Sequence, residues 1–137
     1  MASDRNGNSH RVVLIDTNGF LNSGRFCLDI FDEVTALLGA CSFVIIPEIE
    51  DELRGLGSGN GKDAAASRFA LQLLKRCAVL EQAEELSGSV DDKIVFAAQE
   101  HRCYVVTNDR KLKERLLDQD IQVIVVRGRK KLEVIRR

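Results

Sequence analysis

The chain has 137 residues, 45% of them apolar, and a formal net charge of −1, enough for one domain with a substantial core. No stretch reaches the ~18 consecutive apolar residues of a membrane span, and Met1 to Arg11 hold no signal-peptide core, which points to a cytoplasmic protein. The charge is unevenly spread: residues 127–137 carry six basic side chains against Glu133 alone, leaving 14 basic and 20 acidic residues in the rest, and such asymmetry suggests a polyanionic partner near the basic run. A solvated terminal charge run is the plainer alternative.

Residues 1–10, rich in Ser, Asn, Asp and Gly, read as a disordered lead-in. Val12 to Ile15 is a short continuous apolar run, the mark of a strand covered on both faces. Leu28, Ile30, Phe31, Val34, Leu37 and Leu38 recur at helical spacing, and Gly39 supplies a stop. Phe43 to Ile46 predicts a second strand, and Pro47 opens a helix bearing Ile49, Glu52, Leu53 and Leu56. Gly55 to Gly61, with four glycines, reads as a flexible loop. A helix follows over Lys62 to Arg76, then an extended piece at Ala78 to Leu80. Ser89 can cap a helix over Val90 to His101, Cys103 to Val106 is a strand, Arg110 to Leu117 a helix and Gln122 to Val126 a final strand. Strands alternating with helices imply parallel pairing through right-handed crossovers. Cys27, Cys41, Cys77 and Cys103 lack any C-x-x-C pairing, so reduced, buried thiols are expected rather than a zinc site.

Four acids stand at element boundaries. Asp16 follows Val12-Val13-Leu14-Ile15 and Asp109 follows Tyr104 to Asn108, so both lie just past a strand, where open α/β sheets bind ligands. On the Pro47 helix the period groups Glu52 with Ile49, Leu53 and Leu56, turns Glu50 and Asp51 outward, and leaves Glu48 as a rival. Asp91 and Asp92 occupy the first turn of a helix, with Asp91 nearer the buried side marked by Ile94. Each acid alone has an ordinary explanation as a turn former, helix cap or dipole partner. Together they would repel unless a cation sat among them, and hard divalent ions take oxygen ligands. That set points to a metal site and to phosphodiester chemistry.

The chain also resembles the PIN domain, a family of Mg²⁺- or Mn²⁺-dependent ribonucleases. The resemblance is carried by Leu14-Ile15-Asp16-Thr17-Asn18, by Pro47 with Asp51-Glu52-Leu53, by Val90-Asp91-Asp92-Lys93-Ile94-Val95, and by Val105 to Leu112. Residues 91–116 are most similar to the PIN endonucleases that process small-subunit ribosomal RNA. Eukaryotic members of that group carry a long basic N-terminal extension that this sequence does not, which suggests a compact archaeal-type relative or a different role. It implies a three-layer α/β/α sandwich with a mostly parallel sheet of about five strands, spanning residues 11–126 and followed by a basic segment, 127–137. It further implies an acidic set of Asp16, Glu52, Asp91 and Asp109, with Asp92 as an additional metal ligand and Asn18 and Thr107 in support. The implied chemistry is in-line attack on phosphorus by a water activated by Mg²⁺ or Mn²⁺.

RNA must approach an acidic centre, so cations are needed around it. Candidates are Lys62, Arg68, Lys93, Arg110, Lys111, Arg127, Arg129, Lys130 and Lys131. With one Tyr, six Phe and no Trp, few stacking platforms exist for bases, so phosphate contacts should dominate and sequence selectivity should be weak. The expected partner is RNA, as a ribosomal RNA precursor, with a ribosome-assembly protein alongside; PIN domains often form homodimers. Two alternatives keep the fold: a toxin ribonuclease held by an antitoxin, and a non-cleaving module that binds RNA or protein. A phosphoacceptor receiver or an Asp-nucleophile phosphatase fits poorly. The first needs an acidic pair after its first strand, and the second needs an Asp where Asn18 stands.

Overall fold

The computed structural model describes residues 10–26, 28–81, 88–128 and 131–137. Cys27, Arg129, Lys130 and most of the proposed lead-in lie outside them. A single six-stranded sheet forms the centre, in the order β3-β2-β1-β4-β5-β6. Its strands are β1 (Arg11–Ile15), β2 (Cys41–Ile45), β3 (Ala78–Val79), β4 (Tyr104–Val106), β5 (Val123–Arg127) and β6 (Lys131–Ile135). The first five run parallel and β6 is antiparallel to β5. Val13, Leu14 and Ile15 are fully buried, as a central strand covered on both faces requires.

The helices are α1 (Thr17–Phe26), α2 (Ile30–Leu38), α3 (Pro47–Gly57), α4 (Lys62–Leu73), α5 (Val90–His101) and α6 (Arg110–Asp118). Crossovers from β1 to β2 to β3 move one way across the sheet and those from β3 to β4 to β5 move back. Right-handed connection therefore puts α1 to α4 on one face and α5 with α6 on the other, and the packing of α1 and α3 on α4, and of α5 on α6, agrees. The result is an α/β/α sandwich, as expected, with six strands rather than about five. The order in which strands are added reverses between the parallel β1 and β4, so a crevice opens at their carboxyl ends.

Three expectations are corrected. Helix α1 has no counterpart in the sequence reading, because Thr17–Phe26 contains Gly19 and Gly24, each costing about 1 kcal/mol of helix propensity. Packing overrides propensity here. A Cβ on Gly24 would stand 3.0 Å from the Cα, Cβ and carbonyl oxygen of Ala66, so the two glycines let α1 lie close against α4 and against β1 and β4. Second, α3 continues through Gly57, which shortens the glycine loop, and Leu56 is 43% exposed instead of facing the core. Third, Val123–Arg127 is not the final strand: the basic run after it turns back as β6. Leu132, Val134 and Ile135 pack against the core while Lys131 and Glu133 face outward.

Cys103 is buried and free, and Cys41 and Cys77 are half-buried and free. Burial pushes the Cys77 and Cys103 thiols up to about 12, so both are inert packing groups. No helix among the described residues is long and apolar enough to cross a membrane.

Candidate functional site

The carboxyl ends of β1 and β4 deliver Asp16 and the segment from Thr107 to Asp109 to one rim of the sheet. Asp16 is only 7% exposed. Its Oδ1 accepts the Thr17 backbone N–H at 2.7 Å, and its Oδ2 accepts the Thr107 hydroxyl at 2.8 Å and Asn18 Nδ2 at 3.3 Å. These bonds favour the carboxylate, yet burial outweighs them. The Asp16 carboxyl is pushed up to about 6, first by desolvation and then by the charges of Glu52 and Asp91.

The other acids converge on the same rim. Glu52, on the second turn of α3, accepts the Thr17 hydroxyl at 3.0 Å. Asp91, in the first turn of α5, is raised by burial and then by the Asp109 charge, with Arg115 pulling the other way. Asp109 caps α6, its Oδ1 accepting the Leu112 N–H at 2.9 Å. Glu52 and Asp91 each press on Asp16, and Asp109 presses on Asp91, so four side chains distant in sequence share one electrostatic neighbourhood.

Asp92 is engaged elsewhere. Its Oδ2 accepts the Ser89 N–H at 2.9 Å, closing a capping box, and its Oδ1 accepts from Arg115 at 2.7 Å. Both contacts hold its carboxyl below the usual range. Gly88 makes this cap feasible: at φ +115° it lies where side chains are disfavoured, and a Cβ there would meet Asp92 Oδ2 at 2.5 Å.

Thr107 is the hub of the polar shell. Its hydroxyl donates to Asp16 and accepts from Asn18 Nδ2 at 3.3 Å and from the Asp109 N–H at 3.1 Å. Asn18 Oδ1 accepts the Asn108 N–H at 2.9 Å. Asn108, which pattern reading passes over, spans to β5: its side chain accepts the Val126 N–H at 2.8 Å and donates to the Val126 carbonyl at 2.9 Å. The run Thr107-Asn108-Asp109 offers three side chains able to bond backbone, and that density of short polar groups is the available signal.

An all-oxygen acidic set suits a hard divalent cation. Among the described residues no three Asp, Glu, His or Cys side chains form a ready-made cage. A spread rim still fits Mg²⁺, which keeps several waters and binds through one or two carboxylates.

The candidate cations differ in availability. Arg110 and Lys111 are exposed in the first turn of α6, beside Asp109. Lys93 lies 2.8 Å from Glu48 Oε2. Arg68 donates to the carbonyls of Gly57 and Gly59, fastening the loop before α4. Lys62 lines a separate, mostly apolar cleft of about 760 Å³ between α1 and α4 that none of the four acids lines. The β5–β6 reversal splits the basic run. Arg127 and Lys131 pair at the rim that carries Asp16, with Arg127 bridged to Glu133, while Arg137 ends at the opposite rim on Glu114 and Asp118.

Known proteins resemble this chain in sequence and in fold. Residues 13–129 match the family described as PIN like domain. Ribonuclease VapC9 of Archaeoglobus fulgidus is 31% identical over 125 residues, 90% of this chain and 89% of the relative. Ribonuclease VapC4 of Methanocaldococcus jannaschii is 32% identical over 95 residues, 66% of this chain and 70% of the relative. Among solved structures, the PIN domain endonuclease Utp24 superposes with a TM-score of 0.75 at 29% identity, covering 92% of each chain. VapBC2 from Rickettsia felis bound to a promoter DNA fragment shares the fold, with a TM-score of 0.62 at 15% identity. The chain belongs to the PIN-domain family of ribonucleases.

Proposed function

We propose that this protein is a divalent-metal-dependent endoribonuclease, with Asp16, Glu52, Asp91 and Asp109 as its catalytic acids and Mg²⁺ or Mn²⁺ as its cofactor. The observation that carries the proposal is the mutual repulsion of these acids around a buried Asp16 already pushed up to about 6. Thr17, Asn18 and Thr107 orient Asp16, and Thr17 also holds Glu52, so these two acids are held before anything binds. When bound, the cation would supply a water of lowered pKa and neutralise charge building on the phosphate. The acids would hold that cation and orient the water in line with the departing 3′ oxygen, leaving 5′-phosphate and 3′-hydroxyl ends. Asp92 serves the helix cap rather than the metal, since, unlike Asp16, it is already paired with a cation, the Arg115 guanidinium.

The acids stand on an open rim rather than inside the cleft, which suits a polymer. Arg110 and Lys111 are the first-choice phosphate contacts, followed by Arg127 and Lys131 on the same rim, with Arg129 and Lys130 between them in sequence. Lys62 and Arg68 stand second to them. The similarity to Utp24 favours a ribosomal RNA precursor as substrate, with a ribosome-assembly protein as partner. The VapC relatives favour a second reading, a toxin ribonuclease restrained by an antitoxin.

Cleavage of end-labelled single-stranded RNA by the pure protein with Mn²⁺, Mg²⁺ or EDTA, beside Asp91→Asn, tests the activity. Metal-dependent cutting lost in the variant is expected; cutting that survives the variant would refute it. Growth arrest on expression, relieved by Asp91→Asn, would move the biology to the toxin reading.

A further inference from the structure

The two residues after Asp91 reach in opposite directions. Asp92 accepts from Arg115 and ties α5 to α6, whose cap is Asp109. Lys93 lies 2.8 Å from Glu48 Oε2 and ties α5 to α3, where Glu52 stands one turn beyond Glu48. The second pair is the more enclosed, at 22% and 28% side-chain exposure against 45% and 47% for Arg115 and Asp92. It bridges helices from opposite faces of the sheet at the level of the acids. Glu48 Oε1 is shut away from solvent with no hydrogen-bond partner among the described residues, and Oε2 makes the contact to Lys93. An enclosed ion pair adds little net stability over an apolar contact, but it fixes a distance.

We propose that Glu48 and Lys93 are positioning residues, their ion pair a strut that sets the separation between the helix bearing Glu52 and the helix bearing Asp91. The inference rests on the nuclease reading of the acidic rim. It assigns Lys93 to the scaffold, where the sequence suggested a phosphate contact.

The test uses Glu48→Gln, Lys93→Met, the exchanged pair E48K/K93E, and Lys93→Arg, which keeps the charge. In metal-free protein, amide exchange at Asp91 to Ile94, followed by NMR, should quicken about fivefold in each of the first two. It should stay near the parental rate in Lys93→Arg and return toward it in the exchanged pair. Mn²⁺ affinity by calorimetry should weaken by about tenfold in the same two variants and recover in the same way. Unchanged exchange and unchanged Mn²⁺ affinity, with only the KM for RNA raised by Lys93→Met, would overturn the strut and make Lys93 a phosphate contact. The expected exchange pattern in a parent that binds no Mn²⁺ would uphold the strut and overturn the nuclease reading.

Discussion

At the rim where β6 ends, Arg137 sits between Glu114 and Asp118, at 2.8 and 3.0 Å, so each of these acids has a cation beside it at an exposed surface, for little gain or cost. At the rim where β1 and β4 end, Asp16 is buried and meets only neutral donors, while Glu52 and Asp91 repel it. One rim is electrostatically finished, whereas at the other Asp16 has only neutral donors and acidic neighbours around it and no ion pair among the described residues. Stability alone does not ask for that arrangement, whereas a cation-binding centre does.

The largest expected effects fall on the unfinished rim. Asp16→Asn, Glu52→Gln, Asp91→Asn and Asp109→Asn should each lower the initial rate of RNA cleavage by at least about 100-fold. Asn at 109 can still cap α6, so circular dichroism should be unchanged. A rate within a fewfold of the parent in any of them would remove that residue from the centre.

Next in size is a pH effect in metal-free protein. The folded state raises the Asp16 carboxyl from 3.8 to about 6, so the fold binds this proton more tightly than the unfolded chain does. Stability is therefore highest below pH 4 for this group, falls as pH rises through 6, and stays low above it. The loss is about 3 kcal/mol, and Asp91 is shifted in the same direction. Melting curves in EDTA from pH 4 to 8 should show the fall, and Asp16→Asn should flatten it. A parental profile in that variant would place the titration elsewhere.

A smaller, purely structural effect belongs to the α1–α4 seam. Gly24→Ala places a Cβ 3.0 Å from Ala66 backbone and should cost about 1–3 kcal/mol in urea unfolding, with Mn²⁺ affinity unchanged. Loss of Mn²⁺ binding there would mean the seam and the acidic rim are not independent. Smallest is the contrast in surface cations. Arg110→Ala or Lys111→Ala should weaken RNA binding and reduce the salt slope by about one each. Arg137→Ala, at the finished rim, should leave the slope alone. Equal effects at both rims would mean RNA follows net charge rather than the site.

The sequence makes some of this legible and hides the rest for physical reasons. Asp16 and Asp109 stand out because each closely follows a continuous apolar strand, and Glu52 because the helical period separates it from Glu50 and Asp51. Glu48, its rival, differs only in what faces it, and the Lys93 partner 45 residues away cannot be read from local pattern. Helix α1 escapes because its two glycines lower propensity for the sake of close packing. The β6 strand escapes because five charges in Arg127 to Glu133 mask the period of Leu132, Val134 and Ile135.

The most direct test is calorimetric titration of Mn²⁺ into metal-free protein at neutral pH, beside Asp16→Asn. Binding by the parent that is lost in the variant is predicted, because the uncompensated charge at this rim is what draws the cation. Equal binding by both, or none by the parent, would contradict it.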